Sequence, residues 1–204
     1  MNVQNTERKN EMIKELVLKN RSYRSFDRSV KIEKETLLEL IDTARITPSA
    51  MNLQPLSYVP LTEIYADRIL PYTNWAKALK NMPLPPQGME PSAFILLCID
   101  KNRTPNPAPV MRDVGIVAQT MLLAATEMGL GGCMIGSFDG ESIRKELSLD
   151  NNIDVLLCVA LGKPAETIVL EEIDKDSSIN YYRDDMNVHH VPKRRLEDII
   201  IDVK

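Results

Sequence analysis

The sequence predicts an α+β domain with a central mixed β-sheet flanked by helices. Helical and strand-like segments are interspersed, but not as a regular β-α-β series. Two continuous apolar runs, 93–99 and 155–161, have the length of buried strands, and 110–128 has the pattern of a helix that is apolar nearly all round. The 204 residues suit a single domain, with 165–204 as a C-terminal extension. A hydrophobic fraction of 44% can furnish a core, and with 5% aromatics that core must be packed by Leu, Ile, Val, Ala and Met.

The elements follow in order. Met12, Ile13, Leu16 and Val17 stand at helical spacing within a helix predicted over 7–19. A second helix is predicted over 33–46, with Leu37, Leu38, Leu40, Ile41 and Ala44 as its apolar face and Pro48 ending it. Residues 58–61 predict a short strand, and 62–80 a helix in one or two pieces broken near Pro71. Pro83, Pro85, Pro86, Gly88 and Pro91 require a surface loop over 82–91, and a second proline-rich loop follows the 93–99 strand. The helix 110–128 carries Val110, Val114, Val117, Ala118, Met121, Leu122, Ala125 and Met128 on one face and is closed by Gly129. Its remaining apolar residues place it in the core or at a subunit interface. A strand end is predicted at 133–135, a short helix at 141–147, and a stop to the 155–161 strand at Gly162-Lys163-Pro164. The charged tail has too little apolar surface for a core of its own, so it is expected to wrap another surface. Together with the apolar helix, it favours an obligate dimer.

Several function classes are disfavoured. A net charge of −4 argues against general nucleic-acid affinity. No apolar run approaches the roughly 18 residues of a membrane span. Glu7, Arg8, Lys9 and Glu11 interrupt any secretory h-region. Cys98, Cys133 and Cys158 are odd in number and set in apolar segments, which suits reduced core cysteines of a cytoplasmic protein. His189 and His190 lack a third metal ligand and read as surface or loop histidines; no metal site is expected. No Ser–His–acid or Cys–His set is evident.

The chemistry-bearing residues cluster at the two ends and in one loop. Arg21, Ser22 and Arg24 near the start, and Lys193 and Arg195 near the finish, offer planar forks, a hydroxyl and an ammonium that match phosphate oxygens. Each cluster alone is also compatible with a solvated basic turn, the second also with a contact to the acidic residues at 171–176. The loop Pro48-Ser49-Ala50-Met51-Asn52-Leu53-Gln54-Pro55 carries amides that donate and accept, as a heterocycle with alternating N–H and C=O groups requires. It also fits an ordinary turn capped by Ser49. The glycines at 129, 131, 132 and 136 would let backbone approach a flat ligand, although the G-x-G-x-x-G spacing fails at Met134. Taken together, the two ends are expected to converge on one small phosphorylated cofactor.

In this order the segments resemble the flavin-dependent nitroreductase family over nearly the whole chain. Arg21-Ser22-x-Arg24-x-Phe26 is similar to its N-terminal phosphate and flavin-edge motif. Pro48-Ser49-x-x-Asn52-x-Gln54-Pro55 is similar to its P-S-x-x-N-x-Q-P loop. Gly129 to Phe138 is similar to the segment beside the isoalloxazine, and Lys193-x-Arg195-Leu196 to the C-terminal phosphate clamp. The chain departs from many members at Asn20, where a basic residue is common, and at Leu56, where Trp is common.

The resemblance implies a nitroreductase-like fold, with FMN at the interface of an intertwined homodimer and an extended C-terminal arm wrapping the partner subunit. Arg21, Ser22, Arg24, Lys193 and Arg195 would contact the phosphate, ribityl chain and pyrimidine edge. Pro48, Ser49, Ala50, Met51 and Asn52, with Gln54 in the same loop, would come from the partner and cover the ring. Ile135, Gly136 and Ser137 would face flavin N5 and O4, and Asn74 and Lys77 match a pair near the flavin in some members. The implied activity is ping-pong transfer of hydride from NADH or NADPH, through flavin N5, to a nitroaromatic, quinone or similar electrophilic small molecule, with no catalytic side chain. Alternatives are a flavin-degrading or dehalogenating member, with 82–91 or 103–109 as its lid, and a non-catalytic FMN-binding protein.

Overall fold

The computed structural model describes residues 12–76, 82–104 and 106–203. The first helix, α1, is described over 12–19; the rest of its predicted span lies outside the described residues, as does Lys77.

One sheet organises the chain. Its strands are β1 (Phe26–Asp27), β2 (Leu56–Leu61), β3 (Ala93–Asp100), β4 (Gly131–Ile135) and β5 (Ile153–Pro164). β5 is the hub. It pairs with β3 from Ala93↔Leu161 to Asp100↔Ile153, with β4 from Gly131↔Gly162 to Ile135↔Cys158, and with β1 at Phe26↔Pro164. β2 pairs with the other edge of β3. All these pairings are antiparallel, and the mixed character predicted for the main sheet comes down to an isolated parallel bridge, Ser22↔Gly132, on its β4 edge.

Both faces of the sheet are covered, which is why β3 is a continuous apolar run and not an alternating one. Ile95, Leu97, Ile99, Val159 and Leu161 pack on α2 (Lys34–Arg45) and α4 (Met111–Glu127), through Leu37, Leu40, Val114, Val117, Ala118 and Met121. Phe94, Leu96, Cys98, Cys158 and Ala160 pack on α3 (Glu63–Ile69) and α5 (Gly140–Glu146), through Ala66, Ile69 and Ile143.

Three boundaries differ from the sequence-based expectation. The 62–80 helix is α3 followed by a 3-10 turn at Leu70–Tyr72, after which Thr73 leaves helical geometry to bridge Phe138. β4 begins at Gly131 because its glycines are packing positions: a Cβ on Gly132 would lie 2.2 Å from the Ala160 carbonyl oxygen, and one on Gly131 2.6 Å from the Tyr23 ring. β5 continues through Pro164 because β1 pairs with its end.

The tail differs most. Residues 168–194 form a second sheet from β6 (Ile168–Ile173), β7 (Tyr182–Arg183) and β8 (His189–Arg194), with β6 and β8 parallel and β7 antiparallel to β8. In place of an arm extended along its whole length, the segment folds back on its own chain. Beyond it, α6 (Leu196–Ile199) and residues 200–203 present exposed Leu196, Ile199, Ile200, Ile201 and Val203.

His190 staples the second sheet. Its Nδ1 lies 2.6 Å from Glu171 and its Nε2 3.1 Å from Asp184, and its ring stacks on Tyr182 at 4.7 Å. Hydrogen bonding to Asp184, and then to Glu171, raises its pKa above the usual 6.5. The stabilisation is therefore complete below pH 6.5 and is lost as pH rises through the raised value. Urea unfolding from pH 6 to 9 is expected to show a decline in stability that His190→Gln removes.

Candidate functional site

A cavity of about 480 Å³ lies between α1, α4, β4 and the second sheet. Arg21, Ser22 and Arg24 line it from the N-terminal side and Lys193 from the C-terminal side. Two local devices fix the first group. The Ser22 bridge, with the Tyr23 amide donating to the Gly132 carbonyl at 3.0 Å, holds the segment on the β4 edge. Glu166 then accepts from the amides of Arg24 and Ser25, the latter at 3.1 Å, and pairs with the Arg183 guanidinium. Both members of that ion pair are buried, so one carboxylate ties the first motif to the second sheet.

Strand alternation fixes the other wall. His189, Val191 and Lys193 occupy alternate positions of β8 and line the cavity together. The Arg24 guanidinium carbon lies 5.3 Å above the Tyr181 ring, and Tyr181 meets the His189 ring edge-on at 5.4 Å. His189 is 2% exposed, not a surface residue. Burial, followed by the charges of Arg24 and Arg183, pushes its pKa down to about 4, so the ring is neutral at pH 7. Burial also lowers the pKa of Arg21, whose side chain nevertheless remains charged.

The other predicted residues are placed elsewhere. Arg195 follows the end of β8 and is not among the lining residues; its Nε lies 3.6 Å from Glu172. Ile135 is buried at the end of β4, Gly136 has open space beside its Cα, and the Ser137 carbonyl accepts from the Asn74 amide at 2.8 Å. Asn74 therefore sits beside the predicted ring-facing segment. Cys133 is buried, and its thiol pKa is raised by burial, as befits an inert packing residue.

The loop from Pro48 to Pro55 lines different cavities. Ala50, Gln54 and Pro55 border one of about 670 Å³ with Asp100, Arg103 and Asp113; Pro48 and Ser49 border a smaller one. None of the loop's residues lines the Arg21–Lys193 cavity of the same chain. Of the predicted lids, 103–109 contributes Arg103, Thr104, Asn106 and Pro109 to the larger loop cavity. In 82–91, Met89 accepts from the Phe26 amide and Glu90 pairs with Arg28, which pins that segment on β1.

A buried acid holds the loop. Asp113, in the first turn of α4, accepts from the Ser49 hydroxyl at 2.6 Å and the Ala50 amide at 3.4 Å, and Ser49 Oγ accepts from the Gln54 amide at 3.0 Å. These bonds secure left-handed backbone at Met51, Asn52 and Gln54, with φ of 51°, 54° and 47°. Asp113→Ala is expected to cost about 1–3 kcal/mol, the penalty for unpaired partners, and to open the loop to proteolysis. Thermal unfolding and limited digestion would measure both effects.

Sequence reasoning missed Tyr181, His189, Glu166 and Asp113. His189 carried a signal, since it shares strand parity with Lys193. The two buried acids carried none, because their partners are distant in sequence.

The chain is similar in sequence and fold to known proteins. Residues 17–163 match the family described as "Nitroreductase family". An NADPH-flavin oxidoreductase from Vibrio harveyi is 30% identical over 74% of this chain and 65% of its own length, so the chain spans slightly less than two thirds of that protein. A solved nitroreductase family protein from Clostridium difficile 630 is 28% identical over 74% of this chain and 84% of its own, with a TM-score of 0.59. A protein from Desulfovibrio desulfuricans, described as a nitroreductase and solved in complex with FMN, shares the fold over 93% of this chain and 95% of its own, with 18% identity and a TM-score of 0.65. On the family match over residues 17–163, the chain belongs to the nitroreductase family.

Proposed function

We propose that the protein is a homodimeric, FMN-dependent NAD(P)H oxidoreductase that reduces nitroaromatic, quinone or similar electrophilic small molecules. The observation that carries this reading is the cavity where Arg21, Ser22 and Arg24 meet Lys193 from the other end of the chain. Three cations beside a hydroxyl suit a phosphate. Arg21 Nε is buried with no hydrogen-bond partner among the described residues, so it is a donor available to an anion. The residues present therefore fit the phosphate end of FMN.

FMN, when bound, supplies the redox chemistry, taking reducing equivalents from NADH or NADPH and passing them to the acceptor. The chain binds and orients. Arg21, Arg24 and Lys193 would hold the phosphate, with Ser22 adding a hydroxyl, and Arg195 would join by exchanging the exposed Glu172 for it. Gly136 has open space beside its Cα, and it would lie with Ile135 and Ser137 along the ring edge. No side chain is assigned as acid or base; protons come from solvent.

The loop over Pro48, Ser49, Ala50, Met51, Asn52 and Gln54 serves the cavity of a partner subunit. Its rigid anchorage away from its own chain's cationic cavity supports this, as does Met51, 89% exposed at its tip. Exposed Met111 and Ile116 on α4 and the apolar residues 196–203 supply surface for the dimer contact. Cys98, Cys133 and Cys158 are free and buried, in keeping with the cytoplasmic location we propose. No helix among the described residues is long and apolar enough to cross a membrane.

The test is a set of initial rates with NADH or NADPH varied at several fixed concentrations of a nitroaromatic. Parallel double-reciprocal lines are expected, since donor and acceptor would use one site in turn. Intersecting lines would count against a shared site. Bound FMN that NAD(P)H never reduces would favour a non-catalytic binding protein.

A further inference from the structure

His189 is the unexplained group in this cavity. It is 2% exposed, and neither ring nitrogen has a hydrogen-bond partner among the described residues. A buried, unsatisfied imidazole is costly, so its place on the cavity wall calls for a ligand. Its ring is held by edge contact with Tyr181, which also carries the Arg24 guanidinium on its face. It shares a strand face with Lys193 and a cavity with Arg21 and Arg24.

We propose that His189 is a direct hydrogen-bond ligand for the cofactor's phosphate, and that it takes up a proton as the phosphate binds. This deepens the FMN reading above and rests on it. Without an anion, the charged groups facing the ring disfavour its protonation on balance. Arg24 stands beside it from the first motif, Arg183 from β7, and His190 is its chain neighbour. Glu166, whose Oε2 is 4.0 Å from Nδ1, is already engaged by Arg183 and two amides. Tyr181 meets the ring edge-on, and Arg21 and Lys193 add positive charge across the cavity. A phosphate dianion placed among these cations reverses the local field and stabilises an imidazolium. Its oxygens then accept the N–H of His189 alongside those of the guanidinium groups. The neutral state of the free ring, with its pKa near 4, supports this order of events. Cofactor binding then tightens as pH falls, the sign required when the complex holds more protons than the free partners.

The experiment measures FMN and riboflavin affinity, by quenching of flavin fluorescence, from pH 8 to 5.5. Wild-type protein and His189→Gln are compared, because Gln donates a hydrogen bond but does not titrate. The ratio of wild-type to variant FMN affinity is expected to rise about tenfold toward low pH, the change that one proton per flavin gives over one pH unit. The same ratio for riboflavin, which lacks the phosphate, is expected to stay flat. Calorimetry of unaltered protein at pH 7, where the FMN phosphate with its second pKa of about 6 is already mostly the dianion, in two buffers of different ionisation heat, is expected to show net proton uptake with FMN beyond that with riboflavin. A pH-independent FMN ratio, an equal change with riboflavin, or no phosphate-dependent proton uptake overturns the assignment while leaving FMN binding intact. Failure of wild-type protein to bind FMN at any pH would instead remove the functional reading itself.

Discussion

Replacing Glu166 with Ala is expected to destabilise the protein by about 3–5 kcal/mol, the cost of breaking a buried ion pair from one side. Its carboxylate serves three donors: the amides of Arg24 and Ser25 and the buried guanidinium of Arg183. Removing it strands a charge and two N–H groups at the seam between the main and second sheets. Glu166→Gln keeps an acceptor for the amides but leaves Arg183 uncompensated, so an intermediate loss is expected. Urea unfolding with a tryptophan probe would measure both. Trp75 is suited to this, with its indole N–H bonded to Thr73 at 2.8 Å near the end of β4. An Ala variant within about 0.5 kcal/mol of wild type, the range of an ordinary surface substitution, would mean that the seam is not held this way.

The second large effect concerns the cofactor. Arg24→Ala and Lys193→Ala should each weaken FMN binding by about 1.5–3 kcal/mol, the worth of a hydrogen bond to a charged group. The double variant should lose roughly 3–6 kcal/mol if the two act independently on different phosphate oxygens. The loss should be much smaller for riboflavin. Arg24 also rests on Tyr181, so its single variant is expected to loosen that ring; among the described residues Lys193 stacks on no ring. A double variant that binds FMN as wild type does would place the phosphate elsewhere. Arg195, paired with Glu172 outside the cavity lining, is expected to matter less than Lys193.

Much of the main sheet and its helical layers was legible because local periodicity reports burial. α2 and α4 show helical spacing, and β3 and β5 are continuous apolar runs between two covered faces. The second sheet was not legible. β8 carries few apolar residues, and β6 meets it through a parallel pairing between remote segments, which no local pattern announces. The start of β4 was obscured by the glycines at 131 and 132, whose role is close approach to Tyr23 and Ala160. Of the candidate site residues, Arg21, Ser22, Arg24 and Lys193 stand out in one dimension by charge and motif position, and the fold brings them to one cavity. Asp113 and Glu166 were invisible for the opposite reason. An acid is informative only when its partners are known, and Ser49 and Arg24 lie far from them along the chain.

If the two ends of the chain build a seat for FMN, as we claim, the absorption spectrum of the purified protein will show it when taken before and after adding excess FMN and removing what is unbound. A flavin spectrum with an FMN for every chain is expected, bleached by anaerobic NADH or NADPH and restored by a nitroaromatic. A protein that stays colourless after incubation with FMN would contradict the claim.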